Sequence, residues 1–565
     1  MAAVSQDSQA LRELDAHLDE VWDTIQQEKQ ARAEYRRQRP LMRLWDGDWN
    51  LRGVVAGELD YSCEWKYNDV GAAFITLRPE HHLARWALAH WERDTKNIHV
   101  TFDRSPDGKD ARWGGRCQSV TLVKNADGTR YVELQFLHDI KELEHVLIWP
   151  NPFLPAGVQF PKAFALAGPL RTILKTALLL NLMRLHGNFW QLPDNPLDPR
   201  TWPEGATPWN WSIIVKPSSL LMDSSQWGVI HSRMKNFMEV AAPALDDAGL
   251  MLECRRWLTG DPKPEGMELM PMRNGQLVVD IVDKSGVFDQ TALGGTIAGG
   301  MVRTVTRLAD NLVDDVVTVV ANPVVPVEHA VSKLMGTHPK APWVVFRDGP
   351  GSPIASGSWT WQPATVAQVT AGGRSAPGVN SAVSIMVQLM GNMVGAVFLL
   401  QGLGGIADTA LKPLYEDVFL AFGSIKSPLR TMMAGWSYYH EGWADGAETA
   451  WSLSGLVAFR EAFWQTRSRD FAAVAVRDGG PYCFGDLGRG HLWMGDRAGV
   501  QLDGMPGGYY PVLQMRQAVL SGGRDRAAGF EVGFGDPRAD ISPVARLLNQ
   551  SKEVFEALKE TGVWA

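Results

Sequence analysis

The sequence predicts an α+β protein. Two antiparallel β modules of barrel or sandwich type lie near the ends, with helical and mixed α/β insertions between them and a helix in front. Three observations lead there. Apolar and polar residues alternate between glycine-rich turns in residues 41–149 and again in 469–540. Asp127-Gly128 separates two such runs, a strong hairpin signal. Leu11, Leu14, Leu18, Val21 and Ile25 step by three and four, the seam of a helix that pairs with other helices.

Residues 1–40 read as that helix, ended by Pro40. The seam fails at Glu28 and Arg32, and a basic run from Lys29 to Arg43 follows. Two readings stand. The helix is a short coiled coil in an oligomer, or an amphipathic helix lying on its own domain.

Residues 41–149 read as the first β module. Leu51, Val54 and Val55 form an apolar row that runs into a Tyr67-Asn68-Asp69-Val70-Gly71 turn. A strand at Phe74–Leu77 follows, then a helix inserted between Pro79 and Trp91. Ile98, Val100 and Phe102 alternate with His99 and Thr101, and Pro106-Asp107-Gly108 turns the chain. Beyond the Asp127-Gly128 hairpin, Val132, Leu134 and Phe136 face one way, with Glu133 and Gln135 on the other side.

Residues 150–209 read as a helix from about Ala163, with Arg171, Lys175 and Arg184 on one polar edge, and then a proline-rich linker. Residues 210–345 read as mixed α/β. A helix spans 230–252 with Met234, Phe237, Met238 and Val240 toward a core, and strands lie near 277–283 and 314–321. Residues 346–378 are rich in Gly, Pro and Ser and read as a linker, and 379–468 read as helical. Between Arg374 and Asp408 the chain carries no charge and contains Gly391 and Gly395 in a close-packing spacing. Gln388, Asn392, Gln401 and several glycines interrupt this stretch, which favours a buried or interface helix over a membrane span. Residues 469–540 form the second β module, and 541–565 a last helix capped by Ser542-Pro543.

Composition narrows the function. A net charge of −8 argues against sequence-specific nucleic-acid binding, which needs a basic footprint. Four cysteines, Cys63, Cys117, Cys254 and Cys483, lie too far apart for a CxxC metal or redox motif and suit a reducing cytosol. The first twenty residues are polar and acidic, so export by a secretion signal is not expected. With 23 Trp against 10 Tyr, the chain has rings to spend on packed barrels and subunit contacts.

The search for chemistry finds decoys. His440-Glu441 begins a zincin-like motif, but position 444 is Ala, so the second His is missing. His81-His82 beside Glu80 are adjacent in the chain and do not share one helix face. Gly402–Ala407 imitates a dinucleotide loop without the preceding strand. No G-x-S-x-G elbow, Walker loop or calcium loop occurs. The reading is therefore not an enzyme, with no catalytic, cofactor-binding or metal residue assigned and no cofactor. The candidate oligomer interface is Leu11, Leu14, Leu18, Val21, Ile25, Gly391 and Gly395. The candidate structural turns are Asn68, Asp69, Gly71, Gly480, Pro481, Tyr482, Gly495 and Asp496.

Residues Asn50–Trp91 open the chain as the minor tail proteins of long-tailed actinobacterial phages do. Asp478–Gly485, Met494–Val500 and Gly529–Asp536 follow in the order of that family's closing β domain. The chain thus resembles the branch of that family similar to tail-tip or baseplate hubs. The resemblance implies two tube-like β-barrels per subunit and a homotrimer whose pseudo-sixfold ring matches the tail tube. It also implies a distal tail ring, a tape-measure protein and other minor tail proteins as partners. It further implies host attachment and DNA delivery from the virion tail tip, after assembly in the bacterial cytoplasm, with host-envelope contact open. A tip module contacting host glycans through exposed aromatics is the second reading, to be told from the first by whether Trp clusters such as Trp202, Trp209 and Trp211 lie on an exposed face or at a subunit seam. A cell-wall hydrolase is a remote third.

Overall fold

A computed structural model describes residues 2–187, 207–219, 222–285, 344–372, 422–444, 462, 465–466, 469–478, 480, 482–505 and 510–535. The chain opens with α1 (Ala2–Arg37). Strands β1 (Leu41–Asp46), β2 (Leu51–Val54), β3 (Asp60–Lys66) and β4 (Ala72–Leu77) follow, then the short helix α2 (His82–Leu88). Next come β5 (Ile98–Asp103), β6 (Arg112–Lys124) and β7 (Arg130–His138). Gly128 takes φ +86° in the β6–β7 turn, and Val132, Leu134 and Phe136 are buried while Gln135 is exposed.

An α/β unit is inserted after β7. It contains β8 (Phe164–Pro169), α3 (Leu170–His186), β9 (Ile213–Val215) and β10 (Trp227–Ser232). It ends with α4 (Phe237–Ala248), β11 (Leu250–Arg256) and β12 (Leu277–Asp283). β9, β12 and β11 form one small sheet, β8 and β10 another, and the helices pack over them around a separate core. Two expectations are corrected here. Residues 164–169 are strand, because Pro169 keeps its predecessor out of helical backbone and α3 starts only beyond it. Residues 227–232 are also strand. α4 begins where Asn236 Oδ1 accepts the Glu239 amide at 2.8 Å, and it ends at Gly249 with φ +66°. Met234, expected toward the core, sits at φ +64° on the exposed turn before it, whereas Phe237 is fully buried.

The supposed polar edge of α3 is likewise corrected. Lys175 is buried and paired with Asp280, and Arg184 is buried with its guanidinium 4.2 Å from the Trp149 ring centre. Arg171, half-buried, lies 3.4 Å from Asp223. Long cationic side chains at helical spacing can reach a carboxylate or a ring on a neighbouring element as well as solvent.

The third part starts with β13 (Val344–Arg347), β14 (Ile354–Gln362) and β15 (Val366–Gly372). The stretch read as a linker is therefore largely strand. It continues through β16 (Phe422–Lys426), α5 (Pro428–Ala434) and β17 (Tyr439–Trp443), so the described part of the expected helical segment is a small sheet with one short helix. β18 (Arg469–Arg477), β19 (Arg497–Gln501), β20 (Val512–Gly523) and β21 (Gly529–Gly535) close the chain.

The two β regions are one sheet. Its path runs β14-β18-β21-β20-β3-β4-β7-β6-β5-β1-β2, with β19 beside β20 and β13 beside β19, making 13 strands. The junction is β20 against β3, antiparallel from Gln517↔Lys66 to Gly523↔Asp60. One core joins Cys63, Ile75, Val100 and Phe136 to Val474, Met515, Leu520 and Val532. The described pairings do not return on themselves, so the sheet is open along this path. β5 also departs from expectation. Ile98, Val100 and Phe102 are buried, and so are His99, stacked on the Trp49 ring at 4.7 Å, and Thr101, whose hydroxyl accepts from Trp45 Nε1 at 3.1 Å.

The expected strand at 314–321, the prolines from Pro193 to Pro203, the uncharged stretch with Gly391 and Gly395, Pro481 and the C-terminal helix lie outside the described residues, as do the side chains of Leu11 and Leu14. Among the described residues no helix is long and apolar enough to cross a membrane.

Candidate assembly interface

The foot of α1 is locked into the body. Arg104, fully buried on β5's exit, donates to the Gln38, Tyr35 and Arg36 carbonyls at 3.1, 2.8 and 2.9 Å. These are the orphan acceptors of a helix C-terminus, where a cation also meets the negative end of the dipole. The guanidinium lies between the Tyr35 and Phe530 rings, 5.1 Å from each centre. Asp478, just beyond β18, lies 3.5 Å from Arg36 and 3.6 Å from Arg104. Burial pushes its carboxyl up to about 6, against the pull of Arg104 and Arg36. Tyr35 Oη donates to Asp110, and its own ionisation is pushed upward by burial and by that carboxylate.

Above this foot the seam faces solvent. Leu18, Val21 and Ile25 are 55%, 42% and 41% exposed, and the neighbouring Trp22 60%. Lys29 Nζ stands 6.0 Å over the Trp22 ring. The helix is thus pinned at one end and carries an uncovered apolar stripe along its middle.

The turn residues fasten the inserted unit to the sheet. Asn68, at φ +54° and buried, donates from Nδ2 to the Leu250 carbonyl at 2.9 Å and accepts the Leu252 amide at 2.8 Å. Tyr67 Oη donates to the same Leu250 carbonyl at 3.0 Å. Asp69 Oδ1 accepts the Val70 amide at 2.8 Å. Gly71 leaves no room for a side chain, since a Cβ there would stand 1.8 Å from the Glu64 carbonyl oxygen. On the C-terminal side, Gly495 turns at φ +83°, and Asp496 pairs with Lys284 at 2.8 Å while accepting the Trp493 amide. Gly480, at φ +104°, packs under the Arg36 guanidinium, and Tyr482 sets its ring edge-on to Phe346.

Sequence reasoning missed the arginines under these turns. Arg256, fully buried on β11, grips Asp139 through Nε at 3.0 Å and through its second guanidinium nitrogen at 2.8 Å. It also donates to Glu142 at 2.5 Å and stacks 4.7 Å from the Trp49 ring centre. Burial works against that charge, but Asp139 and Glu142 hold its pKa above the ordinary range. Arg112 spans Asp103 and Asp261 and donates to the Arg256 carbonyl at 2.7 Å. Burial, then Arg256, depresses His99 to about 3, and burial takes His138 to about 4. Glu253 on β11 goes the other way. Burial, then Asp486, pushes it up to about 7, with Lys284 and Lys216 pulling down. Nothing in the chain spacing of these residues marks them, because their partners come from distant strands.

The decoys resolve structurally. His81 Nδ1 accepts the Leu83 amide as the cap of α2, and its ring stacks on His82 at 4.6 Å. His440 and Glu441 lie on strand β17, not on a helix. Of the three tryptophans named for the glycan reading, Trp211 is buried and stacked on His186, Trp209 is partly exposed, and Trp202 is outside the described residues. Among the described residues no group of His, Cys, Asp and Glu is arranged to hold a metal.

The family model for the siphovirus ReqiPepy6 Gp37-like protein matches residues 41–536. This chain belongs to that family. Minor tail protein Gp28 of Mycobacterium phage L5 is 33% identical over 592 residues, covering 96% of this chain and 98% of that protein. Minor tail protein Gp28 of Mycobacterium phage D29 is also 33% identical, over 596 residues, covering 97% of this chain and 99% of that protein. Among solved structures, the tail protein from Neisseria meningitidis MC58 aligns over 90% of this chain and 98% of that one, at 12% identity and a TM-score of 0.35. This member of the Gp37-like family is a structural protein of the phage tail and not an enzyme.

Proposed function

We propose that this chain is the hub subunit of a siphovirus tail tip. Three copies close or adapt the distal end of the tail tube and anchor the other tip proteins for host attachment and DNA delivery. The observation that carries this reading is the solvent-facing seam of Leu18, Val21 and Ile25 on a helix whose foot is locked by Arg104. Strands of residues 41–149 and 469–540 are the tube-like modules in this reading, joined at β3 and β20. A distal tail ring, the tape-measure protein and other minor tail proteins are its neighbours at the tip, after assembly in the host cytoplasm.

The test is the solution mass of the full chain, measured by light scattering beside the double substitution Leu18→Glu with Ile25→Glu. A trimer that falls to monomer in the variant supports the reading. A wild-type monomer at tens of micromolar, or a trimer indifferent to the substitutions, removes the helix seam from the assembly.

A further inference from the structure

On β15, the central strand of the sheet β16-β15-β17, one side is buried and the other meets solvent. Ala367 and Val369 on β15 point to the buried side. The alternate residues Gln368 and Thr370 share the other side with Glu441 on β17 and Ser424 on β16, as their register requires. Their side chains form a connected row. Thr370 Oγ1 meets Ser424 Oγ at 3.0 Å, and both Gln368 Nε2 and Thr370 Oγ1 donate to Glu441 Oε2 at 3.4 Å.

Two aromatic side chains bracket this row on β17. Tyr439 is 74% exposed and Trp443 54% exposed, with Glu441 midway between them. Four residues of strand separate the rings by about 13 Å. The face carries one anion, Glu441, and one cation, Lys426, which lies in register with Gln368 and donates to Tyr438 Oη at 3.0 Å. Among the described residues the face has no net charge to offer an ionic partner.

These features select among ligands. Two exposed rings flanking a polar row on one strand make an amphipathic face, next to the exposed Met432, Met433 and Trp436. A bilayer would strip water from Glu441 and Gln368 without replacing their hydrogen bonds. A sugar ring presents flat C–H faces that stack on aromatics and a rim of hydroxyls that both donate and accept, matching the polar row between two rings.

We propose that this face binds an uncharged oligosaccharide, with sugar rings on Tyr439 and Trp443. Sugar hydroxyls donate to the Glu441 carboxylate and accept from Gln368, while Thr370 and Ser424 complete the row. The residues of this site are other than Trp209 and Trp211.

The full-length protein is screened on an array of uncharged hexose, N-acetylhexosamine and pentofuranose oligosaccharides. The strongest binder is then measured by calorimetry, alongside vesicles of phosphatidylcholine and phosphatidylglycerol. Binding whose Kd rises at least tenfold in Tyr439→Ala, Trp443→Ala and Glu441→Gln, is partly restored in Trp443→Phe and is unchanged in Trp91→Ala supports the site. Glu441→Gln preserves shape and keeps the test valid if a ring deletion unfolds the sheet. Silence across the array, equal affinity in every variant, or binding to vesicles in place of saccharide overturns it.

Discussion

Gly71 and Asn68 show how much rests on single positions. A Cβ at Gly71 would collide with backbone, so Gly71→Ala forces β3 and β4 apart. The expected cost is at least about 3 kcal/mol, in the range of overpacking plus lost ladder bonds. Asn68→Ala leaves the Leu250 carbonyl with one donor fewer and the Leu252 amide unpaired, an expected loss of about 1–3 kcal/mol for each buried group left unmet. Urea unfolding of both variants measures these losses. The turn as a turn was legible from Asn-Asp-x-Gly. Its grip on β11 was not, because residues some 180 positions apart carry no local signal.

Glu253 gives the pH prediction. Its folded pKa, about 7, lies above its ordinary value of 4.5. Its neutral form is favoured by folding, so the stability it contributes is complete below pH 4.5 and is lost as pH rises through 7. Glu253→Gln keeps the neutral shape, so its Tm should exceed the wild type above pH 7 and converge with it near pH 4. His99 and His138 act in the opposite sense. Their folded values of about 3 and 4 lie below the ordinary 6.5, so their contribution is present above pH 6.5 and fades as pH falls. Melting curves across pH 3 to 9 separate the two, since only the Glu253 effect vanishes in the variant.

At the scale of elements, α1 is a helix secured from outside itself. Arg104→Met removes three bonds to its last carbonyls and the cation beneath Tyr35. The last turn should fray, with faster amide exchange over residues 33–38 and a stability loss of about 3–5 kcal/mol from leaving Asp478 buried with one partner fewer. Unchanged exchange there would mean that the helix holds its own end. The helix and its seam were readable from a period of three and four alone. The strands at 164–169, 227–232 and 354–372 were not. Alanine, glycine and serine set no strong period, and the pairing partner decides the element.

At the scale of the molecule, one sheet makes the two ends of the chain a single folding unit. Leu520 is fully buried in the core shared by β3, β4 and β20. Leu520→Ala should cost about 2–5 kcal/mol. It should lower protection in β3 and β4 as well as in β20 and β21, read by native-state hydrogen exchange. Loss confined to the C-terminal strands would return the molecule to two separate modules.

The sequence by itself determined that the chain is β-rich at both ends, that it starts with a seam-bearing helix, and that it resembles a phage tail family. Period, turn residues and short glycine motifs are local, and local order survives in the linear text. Only the tertiary structure decided that β3 and β20 make one sheet of the two ends, and that Arg256 and Arg112 join the inserted unit to it. It alone placed Gln368, Thr370, Ser424 and Glu441 in one row between two rings. Those choices depend on contacts between residues far apart in sequence, where burial and paired charge, not propensity, set the lowest free energy.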